Sequence, residues 1–171
     1  LPAVEIGLRH VAAVGREAVH ERVRCLASWL LSALVSLRHA NGAPLVRIYG
    51  PVTDEGRGGT ITMNLYDSQG RFFDHLLVEQ KANAANISLR TGCFCNPGAG
   101  ESALGLTRDE LVTCFAQHPT RFTPQDFHHC IDRKSTGAVR VSLGLVSNFA
   151  DVYRFAEFAR GFLDQESAAE R

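Results

Sequence analysis

No apolar run in this chain approaches the roughly 20 residues needed to cross a bilayer, and nothing at its start has the pattern of a secretory signal. An excess of charge of one sign is also missing. Eighteen Lys and Arg stand against 18 Asp and Glu, a formal net charge of zero. That balance argues against nucleic acid or an anionic membrane as the main partner. There is no internal repeat and no low-complexity tract. The five cysteines (Cys25, Cys93, Cys95, Cys114 and Cys130) are odd in number and irregular in spacing, unlike the framework of a secreted disulfide protein. A reducing, cytoplasmic setting is the expectation. The first residue is Leu1 rather than Met, so the chain reads as a fragment of something longer.

The 171 residues, 45% hydrophobic and 21% charged, suit one globular domain with a sizeable core. Residues 2–39 have a helical pattern with a break near Gly15. Val19, Val23, Leu26, Leu30, Leu34 and Leu37 make one buried stripe, ended by Asn41-Gly42 and Pro44. Leu45–Tyr49 is a strand candidate. Thr60–Tyr66 alternates, with Ile61, Met63 and Leu65 on one side and Thr60, Thr62 and Asn64 on the other. After a turn at 67–70, Phe73, Leu76, Leu77 and Gln80 suggest a helix over 71–83, then a short strand over Ile87–Leu89. Thr107 and Glu110 form a capping box for a helix over 108–117. Residues 119–136 show no strong period. Val139, Val141, Leu143 and Leu145 alternate with Arg140, Ser142 and Gly144. Asn148 caps a last helix that turns Phe149, Val152, Phe155, Ala159 and Phe162 inward. Cys25 and Cys114 fall inside helical patterns and read as small buried hydrophobes.

The order α-β-β-α-β-α-β-α predicts an α+β, two-layer domain: a small, mainly antiparallel sheet with helices covering one face. Arg140 and Ser142 then lie on the other face. Residues 1–165 form the single domain and 166–171 a frayed tail.

The densest chemistry lies in residues 88–98, Ser-Leu-Arg-Thr-Gly-Cys-Phe-Cys-Asn-Pro-Gly. Gly92, Pro97, Gly98 and Gly100 oppose a continuous helix or strand there. Two thiols in an open loop beside Arg90 favour the thiolate, the reactive form of cysteine. Cys93 and Cys95 could instead join His128, His129 or Cys130 around zinc, but one intervening residue is shorter than structural zinc sites use, so no metal is assigned. His128-His129-Cys130 reads as a surface or partly buried pair of histidines. Arg140 is either a solvated strand residue or a fork for a carboxylate. The loop Asp54-Glu55-Gly56-Arg57-Gly58-Gly59 lacks the lysine of a phosphate cradle and reads as a connection.

Together these residues resemble the C-terminal small domain of fold-type I, pyridoxal-phosphate-dependent enzymes of the class V aminotransferase group. The resemblance is strongest to the cysteine-desulfurase-like (NifS-like) domain of molybdenum cofactor sulfurases. Leu89 to Ala99 resembles that family's active-cysteine loop, Thr136 to Gly144 its last strand, Asn148 to Phe162 the helix that follows, and Val46 to Pro51 an early strand. The resemblance implies that Cys95 accepts sulfur as a persulfide, that Arg140 holds the substrate carboxylate, and that Arg90 shapes the site, with Cys93 and Asn96 auxiliary. L-cysteine would be the substrate and a further protein or cofactor the sulfur acceptor. A large pyridoxal-phosphate-binding domain of the same enzyme would be the partner, and dimerisation is left open. Some relatives carry a cysteine where this chain has Gly100. The only lysines, Lys81 and Lys134, lack the family's Ser-x-His-Lys-like setting. This chain by itself is therefore expected to bind no cofactor covalently and to be inactive alone. A C–S lyase or aminotransferase-like fragment, and a non-catalytic sulfur- or zinc-binding module, are the alternatives.

Overall fold

The computed structural model describes residues 2–93, 96, 98–117 and 137–167. The expected helix over 2–39 is two helices, α1 (Pro2–Val14) and α2 (Arg16–Ser36), broken at Gly15. Gly15 adopts φ 96°, a conformation that costs other residues more. Helix α2 ends at Ser36, before Asn41-Gly42. Those two residues instead turn the chain so that Arg38 bridges Pro44.

Strands β1 (Val46–Tyr49) and β2 (Thr60–Leu65) form a hairpin-like antiparallel pair. Helix α3 runs from His75 to Ala84, not from Arg71. Phe72 bridges back to Tyr66 in an extended segment, and Asp74 caps the helix by accepting from the N–H groups of Leu76 and Leu77. Its buried residues are Val78 and Ala82, whereas Leu76 is exposed. The third strand, β3, is Arg90–Gly92 rather than Ile87–Leu89; Ile87 and Leu89 are partly buried against the core. Helix α4 (Ala99–Leu104) was hidden from sequence reading by its glycines. Gly98 opens it, with its N–H donated to Glu101, and Gly105 closes it. Helix α5 (Arg108–Gln117) starts as expected: the Thr107 N–H donates to Glu110 Oε2 at 2.7 Å, and the Glu110 N–H donates to Thr107 Oγ1 at 3.3 Å.

Strand β4 (Ala138–Ser142) stops short of Leu143 and Leu145, and α6 (Phe149–Arg160) follows its Asn148 cap. Val152, Phe155, Ala156, Ala159 and Phe162 are buried. Phe149 is exposed, edge-on to Trp29 at 4.8 Å between ring centroids. Ser167, the last described residue, is tied back to the domain. The Ser167 N–H donates to Asp67 and its hydroxyl donates to the Phe72 carbonyl.

The sheet order is β1-β2-β4-β3, antiparallel throughout, giving the expected α+β two-layer domain. Helices α2 and α6 pack together, and their stripes meet Val46, Ile61, Met63, Leu65, Val139 and Val141 in one core. Removing that apolar area from water is the main source of stability. Two cysteine expectations need correction. Cys25 is exposed and free on the outer side of α2, and Cys114, although fully buried, is disulfide-bonded. None of the described helices is long and apolar enough to cross a membrane.

Candidate functional site: an arginine pair at the root of the cysteine loop

Alternation along the strands sorts the sheet into two faces. On the face away from the helices, the register aligns Tyr49 with Thr62, Thr62 with Arg140, and Arg140 with Arg90. One rung thus crosses all four strands and ends in two arginines directly opposite each other. Both arginines are exposed, and neither has an ion-pair partner among the described residues. Like charges facing across a ladder are unfavourable, and an anion placed between the two guanidinium groups would relieve that repulsion. A carboxylate is the planar acceptor that matches a guanidinium fork.

Strand β3 also fixes how the cysteine loop leaves the sheet. Between Arg90 and Gly92, Thr91 points to the helical side and donates its hydroxyl to Glu79 on α3 at 2.7 Å. Gly92 pairs with Ala138 and takes φ 116°, and the chain turns from there into Cys93. Cys93 is exposed. Asn96 is exposed, and its carbonyl accepts from the N–H groups of Ala99 at 3.1 Å and Gly100 at 3.4 Å, at the entry to α4. Cys95 lies outside the described residues, as do His128, His129, Cys130 and Lys134. Of the predicted site residues, Arg90 and Arg140 come together, Cys93 follows Arg90 by three positions, and Asn96 acts through its backbone.

Sequence reading missed a buried polar chain next to this rung. Asn64, assigned to the outward side of β2, is 1% exposed. Its amide donates to the Gly137 carbonyl at 3.1 Å and to the Tyr49 hydroxyl at 3.2 Å. The Tyr49 hydroxyl lies 3.5 Å from that of Tyr66. Burial, then the neighbouring Tyr66, pushes the Tyr49 phenol above its ordinary range, so it stays neutral. An asparagine inside an otherwise threonine-bearing strand face was the only sequence signal.

Fit to pyridoxal phosphate can be tested on the lysines. Lys81, the sole lysine among the described residues, sits on α3 with its ammonium 5.2 Å from the centre of the Phe162 ring and 3.5 Å from Gln165. It belongs to the helical layer, behind the sheet from the arginine pair. It does not fit as the anchor of an aldehyde cofactor. Among the described residues no cluster of three or more His, Cys, Asp or Glu is disposed to hold a metal.

Comparison with known proteins bears on this geometry. No family model matches the chain. Curated proteins named molybdenum cofactor sulfurase do match. The tomato protein (Solanum lycopersicum) is 32% identical over 158 residues, covering 92% of this chain and 19% of that protein. The Bos taurus protein is 37% identical over 147 residues, 84% of this chain and 16% of that protein. The Homo sapiens protein is 36% identical over the same length. This chain is homologous to one segment of the molybdenum cofactor sulfurases. It spans less than a fifth of the length of these sulfurases.

Proposed function

We propose that this chain is the sulfur-accepting small domain of a larger pyridoxal-phosphate-dependent cysteine desulfurase of the molybdenum-cofactor-sulfurase type, working in the cytoplasm. Cys95 is the acceptor thiol. Arg140, with Arg90 beside it, receives the carboxylate of L-cysteine, and Cys93 and Asn96 are auxiliary. The supporting observation is the Arg90–Arg140 pair, exposed and without an ion-pair partner among the described residues, at the root of the Cys93–Cys95 loop.

The chemistry asked of this chain is limited. The two guanidinium groups fix the carboxylate, which sets where the substrate's sulfur lies. The cation at Arg90 favours the thiolate of a nearby cysteine. The thiolate attacks the sulfur of L-cysteine, so that the S–S bond of the persulfide forms as the substrate's Cβ–S bond breaks, and protonation of that carbon gives alanine. Pyridoxal phosphate would supply the electron sink, held by residues of the larger enzyme rather than by Lys81.

Alanine release and bound persulfide, measured together in the complete enzyme, test the proposal. Cys95→Ser should abolish persulfide and turnover, whereas Cys93→Ser should retain part of both. Arg140→Lys should raise KM for L-cysteine on the order of tenfold or more, because a point charge replaces a two-pronged fork. Persulfide persisting on the Cys95→Ser protein would refute the assignment. Pyruvate and ammonia in place of alanine would indicate a C–S lyase.

A further inference from the structure

We infer that Asn64 is a positioning residue for the cysteine loop: it grips the Gly137 carbonyl and through it braces Gly92, the residue from which the loop departs. The inference rests on the sulfur-accepting role proposed for that loop.

A primary amide in the middle of a sheet is costly unless its hydrogen bonds are made, and an apolar side chain would fill the same space without that demand. Asn64 is 1% exposed, while Thr62, its neighbour on the same strand face, is half-buried and Thr60 is exposed. The amide spans two elements at once, donating to the Tyr49 hydroxyl on β1 and to the carbonyl of Gly137, the residue before β4. The Tyr49 hydroxyl oxygen accepts from the amide at 3.2 Å.

The grip on Gly137 is transmitted directly. A Cβ at position 137 would come within 2.9 Å of the carbonyl carbon and oxygen of Gly92. The two backbones therefore touch, and only glycine permits it. Gly92 is also the last residue of β3, where the ladder ends and the chain swings out at positive φ. The contacts run Tyr66, Tyr49, Asn64, Gly137, Gly92 and then Cys93. The arginine pair lies one rung away and is held by its own ladder pairs. Loosening Asn64 should therefore disturb where the loop begins without disturbing where the carboxylate binds.

That separation is measurable in the complete enzyme. Asn64→Leu should lower kcat for alanine release on the order of tenfold while KM for L-cysteine stays within about twofold. Asn64→Asp adds a pH signature. As a carboxylate it turns an acceptor toward the Gly137 carbonyl; protonated, it can donate to that oxygen. Burial favours the protonated form, so its kcat deficit relative to wild type should shrink as pH falls. A residue that merely fills space would give no such profile. Val152→Ala, a core truncation in the helical layer, should leave kcat unchanged. If Asn64→Leu does not fold, the Asn64→Asp pH profile decides alone. Wild-type kcat in Asn64→Leu, a KM rising in step with the loss, or an Asn64→Asp deficit constant with pH would each overturn the inference. Cys95→Ser in the same assay separates the two claims. If it is inactive while both Asn64 variants are unimpaired, only the positioning role fails. If it turns over normally, the sulfur-accepting role fails and the positioning role falls with it.

Discussion

Asp67 shows how much a single side chain can organise. Its carboxylate is 1% exposed and accepts from the N–H groups of Gln69 and Arg71 at 2.9 Å, from Arg71 Nε at 2.7 Å and from the Ser167 N–H at 3.2 Å. Burial by itself would raise this carboxyl, but the hydrogen bonds, led by those from Arg71, outweigh burial and hold it below the usual carboxylate value. A pKa depressed by folding means that the stabilisation is complete above the unfolded-state value and is lost as pH falls through the folded one. Asp67→Asn should therefore cost about 2 kcal/mol at neutral pH. It should also flatten the acid limb of stability, as read by urea unfolding at neutral and acid pH. At this scale residue type in the sequence was a mixed guide. Arg90 and Arg140 were singled out for their chemistry and lie together. Cys25 was expected inside and lies outside, because the buried stripe of α2 passes one position away through Leu26 and Leu30. Asn64 was expected outside and lies inside, because its partners, Tyr49 and Gly137, come from distant parts of the chain.

Among the elements, those with both a period and a cap were legible. Helix α6 has its stripe and its Asn148 cap, whose side chain accepts from the Asp151 N–H at 3.2 Å while Asp151 accepts from the Asn148 N–H at 2.9 Å. Asn148→Ala should cost about 1 kcal/mol, seen as a lower thermal midpoint with no change in the arginine face. Helix α5 was legible from the Thr107–Glu110 box. The elements misjudged were those whose limits are set by tertiary pairing. Residues 71–73 carry apolar spacing compatible with a helix, yet Phe72 bridges Tyr66 and the helix waits for Asp74. Strand β3 falls at 90–92 because β4 offers its partners there, a preference that no local pattern in Ile87–Leu89 could express.

At the scale of the described fold, helices α2, α3 and α6 pack on one side of a four-stranded antiparallel sheet, and Arg90 and Arg140 are exposed on the other. The two-layer class was legible because strong alternation in β2 and β4 and the stripes of α2 and α6 each name one buried face. The rung that joins Tyr49, Thr62, Arg140 and Arg90 was not, since it depends on the strand order β1-β2-β4-β3. Homology to less than a fifth of each sulfurase leaves the reaction to be tested in the complete enzyme. The most direct measurement is peptide mass spectrometry of that enzyme after turnover with L-cysteine, locating the added sulfur. One extra sulfur atom, removable by a thiol reductant, is predicted on the peptide carrying Cys95. Sulfur found on no cysteine of the 93–95 loop while alanine is still released would contradict the central claim.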